Sequence, residues 1–216
     1  LDRSSAASDV YKRQPVSHSV SPVGTRAVIV DLPDLATVMA WHASLVASPL
    51  PGQVEAIAAA RTVLVCFDAH SSAIAGLRTL QDFHPQSSAE TTPREVTIDV
   101  IYDGEDLADV AELMDVSTEE LITRHTQQKW LAAFGGFAPG FTYCVPAEDD
   151  QTYTWDVARR SSPRTAVPAG AVGLAGQFSA VYPRTSPGGW QLLGHTTQPM
   201  WDTHAEQPLS LIHISE

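Results

Sequence analysis

Val54–Phe67, VEAIAAARTVLVCF, holds two runs of strand-forming residues, Val54–Ala59 and Thr62–Phe67, joined by a tight connection at Ala60-Arg61. Two strands with so short a link pair antiparallel. Upstream, Val28–Leu32 is a short apolar run. Leu35, Val38, Met39, His42, Leu45 and Val46 then follow helical spacing until Pro49 stops them. Downstream, Ser71 or Ser72 can cap a second helix carrying Ile74, Leu77 and Leu80. After a polar loop at 84–94, Val96, Ile98, Val100 and Tyr102 alternate with Glu95, Thr97 and Asp99, the pattern of a half-buried strand. The order strand, helix, strand, strand, helix, strand predicts a ferredoxin-like βαββαβ lobe over residues 19–102. Many functions share that fold, so it decides none.

Composition narrows the classes. The chain has 216 residues, 44% hydrophobic and 18% charged, which suits a globular protein and argues against disorder. Thirteen basic against 25 acidic residues give a net charge of −12. That acidity removes any general attraction for nucleic acid or an anionic membrane, so neither is expected as a partner. No run approaches the 18 apolar residues of a membrane span, and the N-terminal residues lack an apolar signal region. Cys66 and Cys144 lie far apart and outside any C-x-x-C pair, as reduced thiols do in a cytoplasmic protein. His42, His70 and His84 show no ligand spacing, and no metal site is expected. Residues 1–14, LDRSSAASDVYKRQ, and 209–216, LSLIHISE, have the texture of adapter sequence, so 1–18 is expected to be a non-native or disordered leader and 209–216 a non-native tail.

Residues 103–208 are expected to form a helical joint and a β-barrel. Asp103-Gly104 signals a turn, and Leu107, Val110, Ala111 and Met114 mark a short helix. Ser117-Thr118-Glu119-Glu120 reads as a capping box opening a helix with Leu121, Ile122 and His125 on its apolar stripe. His125 is either anchored at the helix end by a backbone carbonyl or an acid/base or anion contact at the mouth of the next domain. Eleven acids fall between Glu90 and Glu120 against one base, Arg94, forming a solvated face or a docking surface for a basic partner. From about residue 128, Gly and Pro recur every few residues between short apolar pieces, which predicts many short strands in a closed or nearly closed barrel.

Val157–Met200 contains no Asp or Glu, yet holds Arg159, Arg160, Arg164 and Arg184. Guanidinium groups bind carboxylate or phosphate in a bidentate way, and nearby acids would compete. These arginines either form an anion pocket or pair with acids from the first half. Lys12 and Lys129 are the only lysines, which makes a phosphate-cradling lysine loop improbable.

Three motifs carry a resemblance. Phe134-Gly135-Gly136-Phe137-Ala138-Pro139-Gly140-Phe141-Thr142-Tyr143 resembles the G-F-x-P-G-F-x-Y segment of the carboxyltransferase C/D-subdomain family. Ser162–Gly173 is similar to its P-R-x-x-V-P-A-G-S-V-G segment, and Val181-Tyr182-Pro183 with Ser186–Thr196 to its Y-P-x-x-x-P-G-G-W-x-L-I-G-x-T segment. The likeness runs from about 24 to 208. It departs at Cys144-Val145, where the family has Leu-Gly, and at 209–216, where the family has a closing P-G-D-x-V-R-F strand.

The resemblance implies a ferredoxin-like lobe followed by a cyclophilin-like barrel. The family includes the B subunit of the bacterial ATP-dependent 5-oxoprolinase, allophanate hydrolase subunit 1, part of urea amidolyase, and the KipI inhibitor of a histidine kinase. It therefore implies one component, inactive alone, of a complex that opens the lactam of 5-oxoproline to glutamate with ATP hydrolysis. Its partners would be a C subunit of related fold and an A subunit of LamB/YcsF type. The alternatives are a KipI-like kinase inhibitor, or a carboxyltransferase half acting on urea with biotin supplied from elsewhere. By the same resemblance, Arg164 holds a carboxylate or phosphate, Gln177 and Tyr182 orient a carbonyl or amide, and His125 shuttles a proton. Pro139, Gly140 and Phe141, with Pro187, Gly188 and Gly189, shape the substrate-binding loops or are ordinary turns.

Overall fold

Chain order opens with an antiparallel hairpin, β1 (Ser19–Val23) and β2 (Ala27–Asp31), turned through Gly24 at φ +59°. The computed structural model describes residues 18–85, 95–147 and 149–201, so apart from His18 the predicted leader and tail lie outside the described residues. The chain divides between residues 91 and 92 into two units.

In the first unit the hairpin is followed by α1 (Leu35–Ala47), β3 (Gln53–Ala58), β4 (Thr62–Phe67) and α2 (His70–Gln81). Asp34 caps α1, its carboxylate accepting from Thr37 N at 2.8 Å. The four strands form one antiparallel sheet in the order β1-β2-β4-β3. Alternation along β2 and β4 buries Val28, Val30, Val63, Val65 and Phe67, while α1 buries Val38, Trp41 and Leu45. The Phe67 ring occupies the space where a Cβ on Gly76 of α2 would stand, so that helix and β4 pack closely only because residue 76 is glycine.

Two expectations change here. α2 has Ala69 at its N-cap with no side-chain cap bond, so neither Ser71 nor Ser72 caps it; both lie inside the helix, past the capping position. The sheet's outer position beside β2 is filled by β1, not by the alternating segment at 96–102. A hairpin that closes over three residues reaches that edge at small entropic cost, ahead of a strand some thirty residues past β4. The alternation at 96–102 is present as half-buried Val96, Ile98, Val100 and Tyr102, but the segment belongs to the second unit. There only Ile101 forms a bridge, to His195.

The second unit continues with α3 (Leu107–Leu113) and α4 (Thr118–Gln127), the latter capped by Ser117, whose hydroxyl accepts from Glu120 N at 3.1 Å. Then come β5 (Trp130–Gly135), β6 (Thr142–Pro146), β7 (Arg164–Val167), β8 (Ala171–Ala175), β9 (Phe178–Val181), β10 (Ser186–Gly188) and β11 (Gln191–His195). Among the described residues these pair as a five-stranded sheet, β11-β8-β9-β6-β5, and a two-stranded sheet, β10-β7. The described strands thus form two antiparallel sheets, where a closed or nearly closed barrel was expected. Register shifts at Ala132/Phe134 and Leu192/Gly194 bend β5 and β11, and on its far side β11 meets the segment from Ile101 to Asp106 instead of a regular strand. No helix among the described residues is long and apolar enough to cross a membrane.

Each face of the five-stranded sheet carries its own core. One gathers Leu107, Val110, Leu121, Trp155, Leu174 and Leu193; the other gathers Phe141, Val167, Ala180, Tyr182, Trp190 and Leu192. Because side chains alternate, Ser179 of β9 points toward the first core while its neighbours Phe178 and Ala180 join the second.

Gly104 and Gly194 let the 101–104 segment lie on β11. A Cβ on Gly194 would fall on the Ile101 carbonyl, and one on Gly104 on the Leu192 carbonyl. Gly194→Ala should therefore lower the unfolding free energy by about 2–3 kcal/mol in urea titration. Gly24→Ala, in an open turn with nothing within 4 Å, should lower it by about 1 kcal/mol through backbone strain alone. Equal losses would place the 101–104 segment elsewhere.

Candidate functional site

Asp106, at the N-cap of α3, is almost fully buried. A carboxylate in that position requires partners of opposite charge. Its Oδ1 accepts from Arg164 Nη2 at 2.8 Å and from Arg160 Nη1, and its Oδ2 accepts from Leu192 N at 2.7 Å. Arg164 also donates through Nη2 to Glu105 Oε2 at 3.0 Å. Burial by itself would raise the Asp106 pKa. The Arg164 hydrogen bond, the Leu192 N–H and the two guanidinium charges outweigh that, and the pKa lies below the usual carboxylate range.

Arg164 is therefore not the open anion holder that the acid-free stretch suggested. Its guanidinium is occupied by Asp106 and Glu105, two members of the acidic run at 90–120, and Arg160 shares the same carboxylate. The acidic run is accordingly not only a solvated face. The hint that Asp106 belongs to this cluster was its place at the start of an apolar helix, where a carboxylate commonly sits.

The structure brings together Arg164, Gly188, Tyr182 and Phe141. Gly188 pairs with Arg164 across β10 and β7, and a Cβ on Gly188 would fall on the Tyr182 hydroxyl. Phe141 meets Tyr182 edge-on at 5.2 Å and Trp190 at 5.6 Å. Tyr143 joins them, 5.6 Å from Trp190 and stacked on Phe134 at 4.5 Å. Burial pushes the Tyr143 and Tyr182 phenols up, while the Arg159 charge pulls both the other way. Pro187 lies in β10, and Gly189 beside Pro163.

The loop joining β5 and β6 holds Pro139 and Gly140. Gly140 has φ +78°, and Phe141 N donates to Ala138 O at 2.9 Å, closing a tight turn with Pro139 and Gly140 at its centre. Just before it, Ala138 N donates to Gly136 O at 2.6 Å around Phe137, whose φ is +64°. An aromatic residue in the left-handed region of a three-residue turn is strained. This one is also 56% exposed.

His125 and Gln177 stand apart from that group. His125 is buried on the other face of the five-stranded sheet, its Nδ1 2.7 Å from the Tyr102 hydroxyl and its Nε2 3.0 Å from Ser179 Oγ. Trp130 and Trp155 pack against its ring. Burial pushes its pKa down to about 4, so it is neutral and enclosed at pH 7, not a shuttle at a mouth. Its own carbonyl accepts from Trp130 Nε1 at 3.1 Å. Gln177 is exposed in the β8–β9 turn and makes no side-chain hydrogen bond with a described residue.

An open cleft of about 740 Å³ lies between α3 and the segment before β7. Asp109 and Glu112 line one side, Arg159, Arg160 and Ser161 the other, and Gln191 of β11 lies among them. Arg159 and Arg160 were singled out in the acid-free stretch, Asp109 and Glu112 stood within the acidic run, and Gln191 stood within the third motif. No group of three or more His, Cys, Asp or Glu side chains among the described residues could hold a metal ion.

Residues 18–211 match the family described as carboxyltransferase domain, subdomain C and D. The B subunit of 5-oxoprolinase from Escherichia coli O157:H7 is 33% identical over 198 residues, spanning 88% of this chain and 89% of that protein. Among solved structures, TTHA0988 superposes with a TM-score of 0.66 at 30% identity, over 85% of this chain and 37% of that one. The urea amidolyase of K. lactis gives a TM-score of 0.70 at 17% identity, over 90% of this chain and 14% of that one, a likeness of fold alone.

The buried groups set the response to pH. Asp106→Asn should cost about 3 kcal/mol, because it strips two partly buried guanidinium groups of their buried counter-charge. It should also flatten the acid limb of the stability curve. The wild-type contribution is present above the unfolded pKa of about 4 and is lost as pH falls through the lower folded value. For His125 the folded pKa is likewise depressed, so its stabilisation is complete above about pH 6.5 and lost as pH falls toward 4. An NMR titration should show its ring unchanged from about pH 8 to about pH 5.5; a midpoint near 6.5 would contradict the enclosed geometry.

Proposed function

The chain belongs to the family of the carboxyltransferase domain, subdomains C and D, and from that premise we propose that it is the B subunit of a 5-oxoprolinase. The observation that carries this is the 33% identity to a protein of that name across 89% of its length. On this reading the four-stranded sheet with its two helices is the ferredoxin-like lobe. The second unit is the cyclophilin-like lobe.

The complex hydrolyses a cyclic amide. The ring bond between the carbonyl carbon and nitrogen breaks, the carbonyl carbon gains the water oxygen as a new carboxylate, and the nitrogen, still bonded to Cα, takes up the protons and becomes the ammonium. ATP is hydrolysed by the complex. Three basic groups of this chain are already engaged: Arg160 and Arg164 are held by Asp106, and Lys129 lies 3.7 Å from Asp149. On this reading the nucleotide is held by a partner, an A subunit of LamB/YcsF type or a C subunit of related fold. The chemical groups of this chain support the same division of labour. His125 is enclosed and neutral, and burial pushes the Cys144 thiol up to about 12, so neither serves as base or nucleophile at neutral pH. This chain contributes binding surface, centred on the cleft beside the Asp106 cluster, and is inactive alone.

Mixing this chain with the A and C subunits, 5-oxoproline and ATP should yield glutamate, and omitting any component should yield none. Arg159→Ala, which removes a cleft guanidinium without touching the Asp106 cluster, should lower the rate at least tenfold. Arg164→Ala should instead lower the melting temperature, since it dismantles the buried ion pairs. A full mixture that makes no glutamate, while the chain suppresses autophosphorylation of a histidine kinase, would replace this reading with the regulatory one.

A further inference from the structure

The cleft beside α3 has two walls of opposite charge that do not neutralise each other. Asp109 and Glu112 stand three residues apart on α3 and so share a helix face. Arg159 and Arg160 line the other side with Ser161. Among the described residues, Arg159, Asp109 and Glu112 make no ion pair. Gln191 is only 7% exposed, and its Nε2 donates to Ala158 O at 3.0 Å. That bond leaves its amide oxygen without a partner among the described residues. Arg160 Nε, by contrast, is buried and has no acceptor among the described residues.

A simple anion entering this cleft would be repelled by α3, and a simple cation by Arg159. A ligand bearing both charges satisfies both walls at once. We infer that the cleft binds a zwitterionic α-amino acid, with its carboxylate on Arg159 and Ser161 and its ammonium on Asp109, Glu112 and the Gln191 amide oxygen. The carboxylate matches a guanidinium fork, and the ammonium's three N–H donors match three oxygen acceptors.

The identity of that amino acid rests on the function proposed above. 5-Oxoproline carries a carboxylate and a neutral ring amide, so it presents nothing for the α3 carboxylates to hold. Ring opening creates the ammonium. Glutamate is thus the species whose charge pattern spans the cleft, and the cleft is a product site in which the acidic wall favours the opened form over the closed one.

The test titrates the full chain by NMR and calorimetry with L-glutamate, with glutarate, which lacks the ammonium, and with 5-oxoproline. Glutamate should bind at least tenfold more tightly than either of the others. The double variant Asp109→Asn, Glu112→Gln should bring glutamate down to the level of glutarate, with the melting temperature unchanged. Arg159→Ala should weaken glutamate and glutarate together, and Arg184→Ala, outside the cleft lining, should change nothing. Glutarate or 5-oxoproline binding as tightly as glutamate would overturn the assignment, as would the absence of glutamate binding in both measurements. The function itself is tested by glutamate formation in the full complex. Turnover without glutamate binding to the chain would remove the product site and keep the enzyme reading. Amino-acid binding without turnover would do the reverse.

Discussion

A single buried carboxylate organises the second unit. Asp106 receives two guanidinium groups on one oxygen and a backbone N–H on the other. It thereby joins the start of α3 to β7, to β11 and to the segment that carries Arg160. A buried charge tolerates no loose geometry, because each missing partner leaves a desolvated group uncompensated. The two walls of the cleft are set by this one junction: α3 begins at Asp106, and Arg160 is drawn in by it.

The same junction balances part of the acid-free stretch. Two of its four arginines, Arg160 and Arg164, do not make a free positive surface, because their compensating carboxylates arrive from Glu105 and Asp106, more than fifty residues earlier. An acid placed within 157–200 would offer Arg160 or Arg164 a nearer partner and loosen the junction. The five-stranded sheet then separates two environments. On one face Ser179 meets the His125 ring inside an aromatic cage; on the other Tyr182 closes over Gly188 beside the Asp106 cluster.

What was legible in the sequence was local. The link at Ala60-Arg61, the helical spacing before Pro49 and the Ser117 cap depend on neighbours within a few residues, and β3, β4, α1 and α4 stand where those signals put them. The three Gly/Pro-rich motifs were legible as a family pattern and match the same family over 18–211. What was not legible was set by distant contacts. The segment at 96–102 shows strand alternation, but nothing in alternation says which strand it will meet; Gly194, which leaves room for Ile101, decides that. Arg164 and Arg160 looked available because their partner lies outside the stretch being counted. His125 has helical spacing toward the core, and only the packed Trp130 and Trp155 rings show how completely it is enclosed. Arg159, by contrast, was among the arginines singled out and does line the cleft.

The Asp106 junction also imposes an order in time. Its partners follow it in the chain by 54, 58 and 86 residues, so the carboxylate leaves the ribosome while Arg160, Arg164 and Leu192 are still unmade. Water must keep it until all three are present, and contacts of such sequence separation form slowly. Synthesis must run past Leu192 before α3 can settle on the sheet, which makes the second unit one cooperative piece whose assembly waits for β11, the last strand among the described residues.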